Sequence, residues 1–261
     1  FGFAANLSLT EVFSWPFVWA YLLASGTVYL VVMTVALARG TGAAEAVVEA
    51  QCGVIGNVGF LGIPMLSLLL GPQAVGPVLL VLAIDLIVFS SLITLVITGL
   101  REGRMSFGVI RILALGLAKN PMIVSIFLGL IWGATGWAVP VPVNEFLTLL
   151  GAAATPCALF AIGASLAGRS AERLNVAVWL SFAKLVLHPA AVGFASLVIF
   201  KVDSYAAGVM IAAAALPVAG NVFILAQHYG VAPQRVSTAI LISTAASVLT
   251  VTAVIALVEG L

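Results

Sequence analysis

Apolar residues run in stretches of about twenty along almost the whole chain, separated by short clusters of glycine, proline, arginine and other polar residues. The runs do not alternate apolar and polar positions with period two, which excludes a transmembrane barrel. Each is long enough, at about 1.5 Å per helical residue, to cross a hydrocarbon layer of about 30 Å. Eight helices are predicted, over 16–38, 44–70, 75–100, 119–137, 145–168, 174–200, 205–229 and 235–258. The breaks between them carry turn residues: Arg39 to Gly42, Gly71 with Pro72, Pro140 with Pro142, and Gly230 to Pro233. This pattern predicts an all-α polytopic membrane protein.

Two of the predicted helices are interrupted at their centres. In lipid, a broken helix frees N–H and C=O groups that cost several kcal/mol each unless protein or cavity water pairs them. "GNVGFLGIP" at 56–64 places Gly56, Gly59 and Gly62, which weaken a helix, around Asn57, whose side chain competes for backbone groups. Pro64 ends one helix and suits the first turn of another. "ALPVAGNVFILAQHYG" at 215–230 has the same character, with Pro217, Gly220 and Asn221 at the centre of its span. The two spans are the second and the seventh, an odd separation, so they cross the membrane in opposite directions. Each is followed by a related tetrapeptide, "PQAV" at 72–75 and "PQRV" at 233–236. Broken helices at corresponding positions of two halves point to a secondary transporter built from inverted repeats. Where such breaks meet, half-helix N-termini offer partial positive charge and free N–H groups to an anion. Gly56, Asn57, Gly59, Pro217, Gly220 and Asn221 are therefore the candidate substrate-binding residues, with Gly62 and Pro64 completing the first break. The plainer alternative is that glycine and proline here only permit close helix packing or a kink.

Composition agrees with the membrane assignment: 63% of residues are hydrophobic and 7% charged, against about 25% charged in soluble domains. The few charges orient the chain. Eight of the ten basic residues fall in alternate connections, at Arg39, at Arg101, Arg104, Arg111 and Lys119, at Arg169 and Arg173, and at Arg235. The positive-inside rule assigns these connections to the cytoplasm and both chain ends to the outside. Trp15, Trp137 and Tyr205 then lie at outer boundaries and Tyr229 at an inner one. Segment 101–118, basic and amphipathic, is expected as a cytoplasmic loop along the lipid headgroups, with a regulatory docking site as the alternative.

The remaining basic and acidic residues at membrane depth are candidates for coupling or for a counter-charge. Lys184 is near the middle of the sixth span, where a charge costs about 2.5–3.5 kcal/mol on insertion scales. His188 is one turn later on the same face, and Asp85 is near the middle of the third span. Lys184 can neutralise an anionic substrate, or share a proton-linked switch with Asp85; alternatively the two form a structural ion pair. Asp85 is off the stripe of Ser91, Thr94 and Thr98 on its own helix. His188 is expected as a neutral ring satisfying a nearby carbonyl. Ser243, Ser247 and Thr250 line one face of the last span, as packing contacts or as a polar wall. Glu45 and Glu49 are read as favouring the N-terminal dipole of the first broken helix.

No Ser/His/Asp or Cys/His arrangement, Walker-type glycine loop or metal-ligand cluster is present, so no enzyme activity, metal or bound cofactor is expected. Cys52 and Cys157 read as small packing residues. A net charge of +1 gives no case for nucleic acid. The chain opens with Phe1 rather than Met, and the expectation is that the natural N-terminus is missing.

"GNVGFLGIPML" at 56–66 and "ALPVAGNVFILAQHYGVAPQRVSTAIL" at 215–241 resemble the auxin efflux carrier family, which includes plant PIN proteins and bacterial malate- or malonate-type carriers. "KNPMIV" at 119–124, "TPCALFAIGASLA" at 155–167 and "KLVLHP" at 184–189 are similar to its bacterial branch. The resemblance implies ten helices in two inverted repeats, with the fourth and ninth broken and crossing, and a transport part moving like an elevator against a scaffold that often dimerises. It makes 1–100 a first repeat incomplete at its N-terminus, 101–118 the connecting loop and 119–261 the second repeat, eight spans of ten. Asn57 matches the asparagine lining the family's substrate site. The second break departs from plant members in placing Gly220 and Asn221 downstream of Pro217.

The function expected is a secondary carrier of a small organic anion, a dicarboxylate or auxin-like acid, across the bacterial cytoplasmic (inner) membrane. Its partners are the substrate, the lipid bilayer and a second copy through the scaffold helices; coupling is to protons, to sodium, or to neither. The alternatives are a sodium-coupled symporter of bile-acid-transporter type, a channel, and a non-transporting membrane sensor or assembly subunit.

Overall fold

Helices account for the secondary structure of this computed structural model, which describes residues 1–5, 13–102, 107–166 and 173–258. Four helices, Trp15–Ala38, Pro72–Leu100, Leu174–Ile199 and Pro233–Val258, are long and apolar enough to cross a membrane. Their outer faces carry bare hydrophobic side chains, with Leu249 77% and Phe160 of the neighbouring Val141–Leu166 helix 79% exposed. Apolar surface on this scale needs lipid rather than water around it. The chain is an all-α membrane protein.

Helix 15–38 packs along helix 43–54, and helix 174–182 packs along helix 233–258. Helix 204–214 sits among segments 72–84, 188–193 and 233–258. Small residues permit this close approach: Ala207, Gly208, Ala212, Ala213 and Ala214 are all buried on one helix. By contrast, of the described residues in helices 107–119, 121–134 and 141–166, Ile123 and Gly129 are the buried ones. Those helices form the periphery.

The structure redraws three expectations. Within segment 101–118, expected as a cytoplasmic loop along the headgroups, Phe107–Lys119 is helical, as its run of Ile, Leu, Ala and Arg without proline favours. Arg104, in the expected loop, lies outside the described residues. The first break is shorter than 56–64. Helix 43–54 ends at Val54 and a new helical segment starts at Val58, so Gly59, Gly62 and Pro64 lie inside a half-helix, Val58–Leu69. Its first turn is a wide one, in which Gly62 N–H donates to Asn57 O at 2.9 Å, and the extra residue is absorbed there. The second break covers 215–219, so Gly220 and Asn221 open the half-helix Gly220–Tyr229 rather than lie within the break.

Candidate functional site

The two unwound stretches satisfy each other. Residues 55–57 and 217–219 run antiparallel: Asn57 N–H donates to Pro217 O at 2.9 Å, and Ala219 N–H donates to Ile55 O at 3.1 Å. Pro217 has no N–H to leave unpaired. The remaining donor, Val218 N–H, reaches Ser243 Oγ at 3.1 Å on helix 233–258, and Ser243 donates onward to Ile240 O. A break that costs several kcal/mol in lipid thus becomes a small two-stranded contact at the centre of the molecule. Ser243→Ala removes an acceptor in a fully buried place, and a loss of about 1–3 kcal/mol is expected. A lowered thermal unfolding midpoint in detergent checks it.

Lys184 anchors the crossing from below. Its Nζ donates to Ala214 O, the last carbonyl of helix 204–214, and contacts His188 Nδ1 at 3.1 Å. The C-terminal carbonyls of a helix have no partner within the helix and carry its negative dipole end, so an ammonium there is doubly favourable. With Lys184 as an ammonium, which only donates, His188 Nδ1 is the acceptor and its Nε2–H is directed at Ser25 Oγ, 2.8 Å away. Lys184 and His188 are fully buried. They come within reach of each other because they are four residues apart, Lys184 in a wide turn, 183–187, and His188 at the start of the helix that follows it.

Asp85 does not form the direct ion pair with Lys184 that was one of the alternatives. Tyr21 OH donates to Asp85 Oδ1 at 2.8 Å, while Lys184 is taken by Ala214 and His188. Asp85 Oδ2 and both polar atoms of the buried Gln51 amide are left without a hydrogen-bond partner among the described residues. The Tyr21 and His188 rings lie 5.8 Å apart, so Asp85 and Lys184 belong to one buried polar cluster against one face of helix 15–38. Tyr21 and Ser25 were not singled out in the sequence. Their spacing of four inside an apolar run is the signal that places both on one helix face.

The glycines of the first break are there for close approach. A Cβ on Gly56 would lie 3.3 Å from Lys184 Cε and Nζ and 3.4 Å from Ala213 O; one on Gly62 would lie 2.7 Å from Leu216 Cδ1. Gly59 faces Met122 and Leu82, beside an apolar cavity of about 100 Å³ that Ile63, Leu79, Leu82, Met122 and Ser125 help to line. Asn57, 6% exposed, holds the crossing with its backbone and makes no side-chain cap. Helix 220–229 also lacks a side-chain cap at its start, and Asn221 Oδ1 is buried there without a partner among the described residues. Two half-helix N-termini and two asparagine side chains with unspent hydrogen-bonding capacity therefore flank one crossing.

Glu49 differs from its expected role. It is not a solvated dipole partner but a buried carboxylate held by Arg39 and Arg235.

Comparison with known proteins bears on most of the chain. Residues 101–255 match the family model described as Membrane transport protein (Mem_trans). Over 222 residues the chain is 33% identical to a protein of Rhizobium meliloti (strain 1021) named "Putative malonate transporter", covering 83% of this chain and 68% of that one.

Proposed function

Because the chain belongs to the auxin efflux carrier family of membrane transport proteins, we propose that it is a secondary transporter that carries a small organic anion, with a dicarboxylate as the leading class. The observation that carries this is the antiparallel pairing of the two breaks, which gathers two uncapped half-helix N-termini and the Asn57 and Asn221 side chains at one point. Helix N-termini attract carboxylates, and the relative's name supports a dicarboxylate. Family and relative point to transport rather than catalysis.

In this proposal the chain consists of two inverted repeats, each with one broken helix. The central helices move relative to the peripheral ones at 107–166, and the Arg-rich end faces the cytoplasm of a bacterial inner membrane. Asp85, with one unpartnered carboxylate oxygen beside the Lys184 cluster, supports coupling to a cation, a proton or sodium.

The test is uptake of labelled malonate, other dicarboxylates and indole acids into vesicles carrying the purified protein. Saturable uptake is expected. Asn57→Ala is expected to lower kcat/KM by about ten- to a hundredfold, since a hydrogen bond to a charged group contributes about 1.5–3 kcal/mol. Its thermal midpoint should change little, because the backbone and not the side chain holds the crossing. Unchanged kinetics in Asn57→Ala would remove the site assignment. A folded wild-type protein that moves none of these acids would favour the sensor or assembly role. Imposed proton and sodium gradients then identify the coupling ion.

A further inference from the structure

The first broken helix is also tied to the second half of the chain at both ends, to helix 233–258 at one and to helix 204–214 at the other, by contacts of very different strength. At the Arg-rich end, Glu49 of helix 43–54 is 1% exposed and has both carboxylate oxygens occupied. Arg235 Nη1 donates to Oε1 at 2.5 Å, Arg39 takes Oε2, and Arg235 Nη2 reaches Glu45 at 3.2 Å. Arg235 stands in the first turn of helix 233–258, a short turn beyond the end of helix 220–229. A cation at a helix N-terminus is disfavoured by the dipole, and a buried one needs compensating charge. The position of Arg235 is therefore set by its two glutamates. At the opposite end, the corresponding halves are joined by a hydrogen bond: Tyr205 OH, at the start of helix 204–214, donates to Leu70 O, just past helix 58–69, at 2.8 Å. Tyr205 is 39% exposed.

We infer that the Glu49–Arg235 pair is a clamp that joins helix 43–54 to helix 233–258 and, through the packing of 233–258 on helix 220–229, makes the three one rigid unit, and that the crossing yields at the Tyr205–Leu70 end. The asymmetry follows from dielectric and number of bonds. Charge-assisted, multiply bonded contacts shielded from water hold geometry far better than one exposed neutral bond. The inference stands on these contacts and not on the transport reading.

Amide hydrogen exchange on the full chain in lipid nanodiscs tests it, and needs no substrate. Amides of 43–54 and 220–229 are expected to exchange about tenfold more slowly than those of 58–69 and 204–214. The decisive variant is the double substitution E49Q/R235Q, which removes both buried charges of the clamp together and leaves Arg39 and Glu45, which reach water. It should speed exchange in 220–229, a helix that contains neither substitution, by about tenfold while leaving 204–214 unchanged. R235K keeps the charge but loses the two-pronged fork, and should fall between wild type and the double variant. Y205F should speed the opposite halves alone. Equal protection at the two ends of the wild type overturns the inference. So does an unchanged 220–229 in E49Q/R235Q, or a uniform increase across all helices.

Discussion

Lys184→Met is expected to lower stability by about 3 kcal/mol, within the range of about 1–3 kcal/mol for each buried polar group left unpaired, and to abolish transport in vesicles. Methionine keeps most of the side-chain volume, so the loss isolates the ammonium. Ala214 O and His188 Nδ1 lose their donor, both in fully buried surroundings. The half-helix 204–214 then ends on an uncompensated carbonyl beside the crossing. Arginine should not substitute. Cε and Nζ of Lys184 already approach within 3.3 Å of where a Cβ on Gly56 would lie, and a planar guanidinium is bulkier than an ammonium. The checks are thermal unfolding and uptake measured on the same preparation. A methionine variant with the wild-type midpoint would show that Lys184 does not hold the break. A variant restored to folding by lower temperature, but with KM still raised, would add a direct role for Lys184 toward the anion.

Gly56→Val is expected to reduce transport about a hundredfold or more, from the sum of two costs of about 1–3 kcal/mol each, overpacking and a displaced donor. Even an alanine Cβ at this position is tighter than ordinary contact with Lys184. The γ-carbons of valine reach further and push Nζ away from Ala214 O, so one substitution separates both strands of the crossing. Gly56→Ala should show a much smaller effect, because Lys184 needs to give way only slightly. Uptake kinetics and unfolding midpoints of the two variants together check this. Normal transport by the valine variant would mean that the crossing does not have to remain closed at Gly56.

Several features of the site are legible in the sequence because they conflict with their surroundings. Gly56, Asn57 and Pro217 oppose a helix inside runs that are otherwise uniformly apolar, and Lys184 and Asp85 oppose lipid. A residue that costs free energy locally stands out without any coordinates. What does not stand out is who pairs with whom. Ser243 looks like the other small hydroxyl residues of helix 233–258, and nothing local marks it as the acceptor for Val218 N–H. Glu49 is a turn from Glu45 and is indistinguishable from it by type and spacing, yet one is buried against two arginines and the other is partly exposed. The extent of each break was also hidden. Three glycines and a proline predict a long interruption, whereas the wide turn after Asn57 restores the helix by Val58.

The amino-acid sequence by itself determined that this is an all-α membrane protein, what family it resembles, and that two of its helices must be interrupted. Those properties depend on composition, run length and local propensity, which each segment carries with it. Tertiary structure alone decided that the interruptions pair with one another, that Lys184 serves a carbonyl rather than Asp85, and that Arg235 fastens the first broken helix to the last helix. Those are contacts between residues from 30 to 186 positions apart. Their partners are chosen by helix packing, which no single stretch of chain contains.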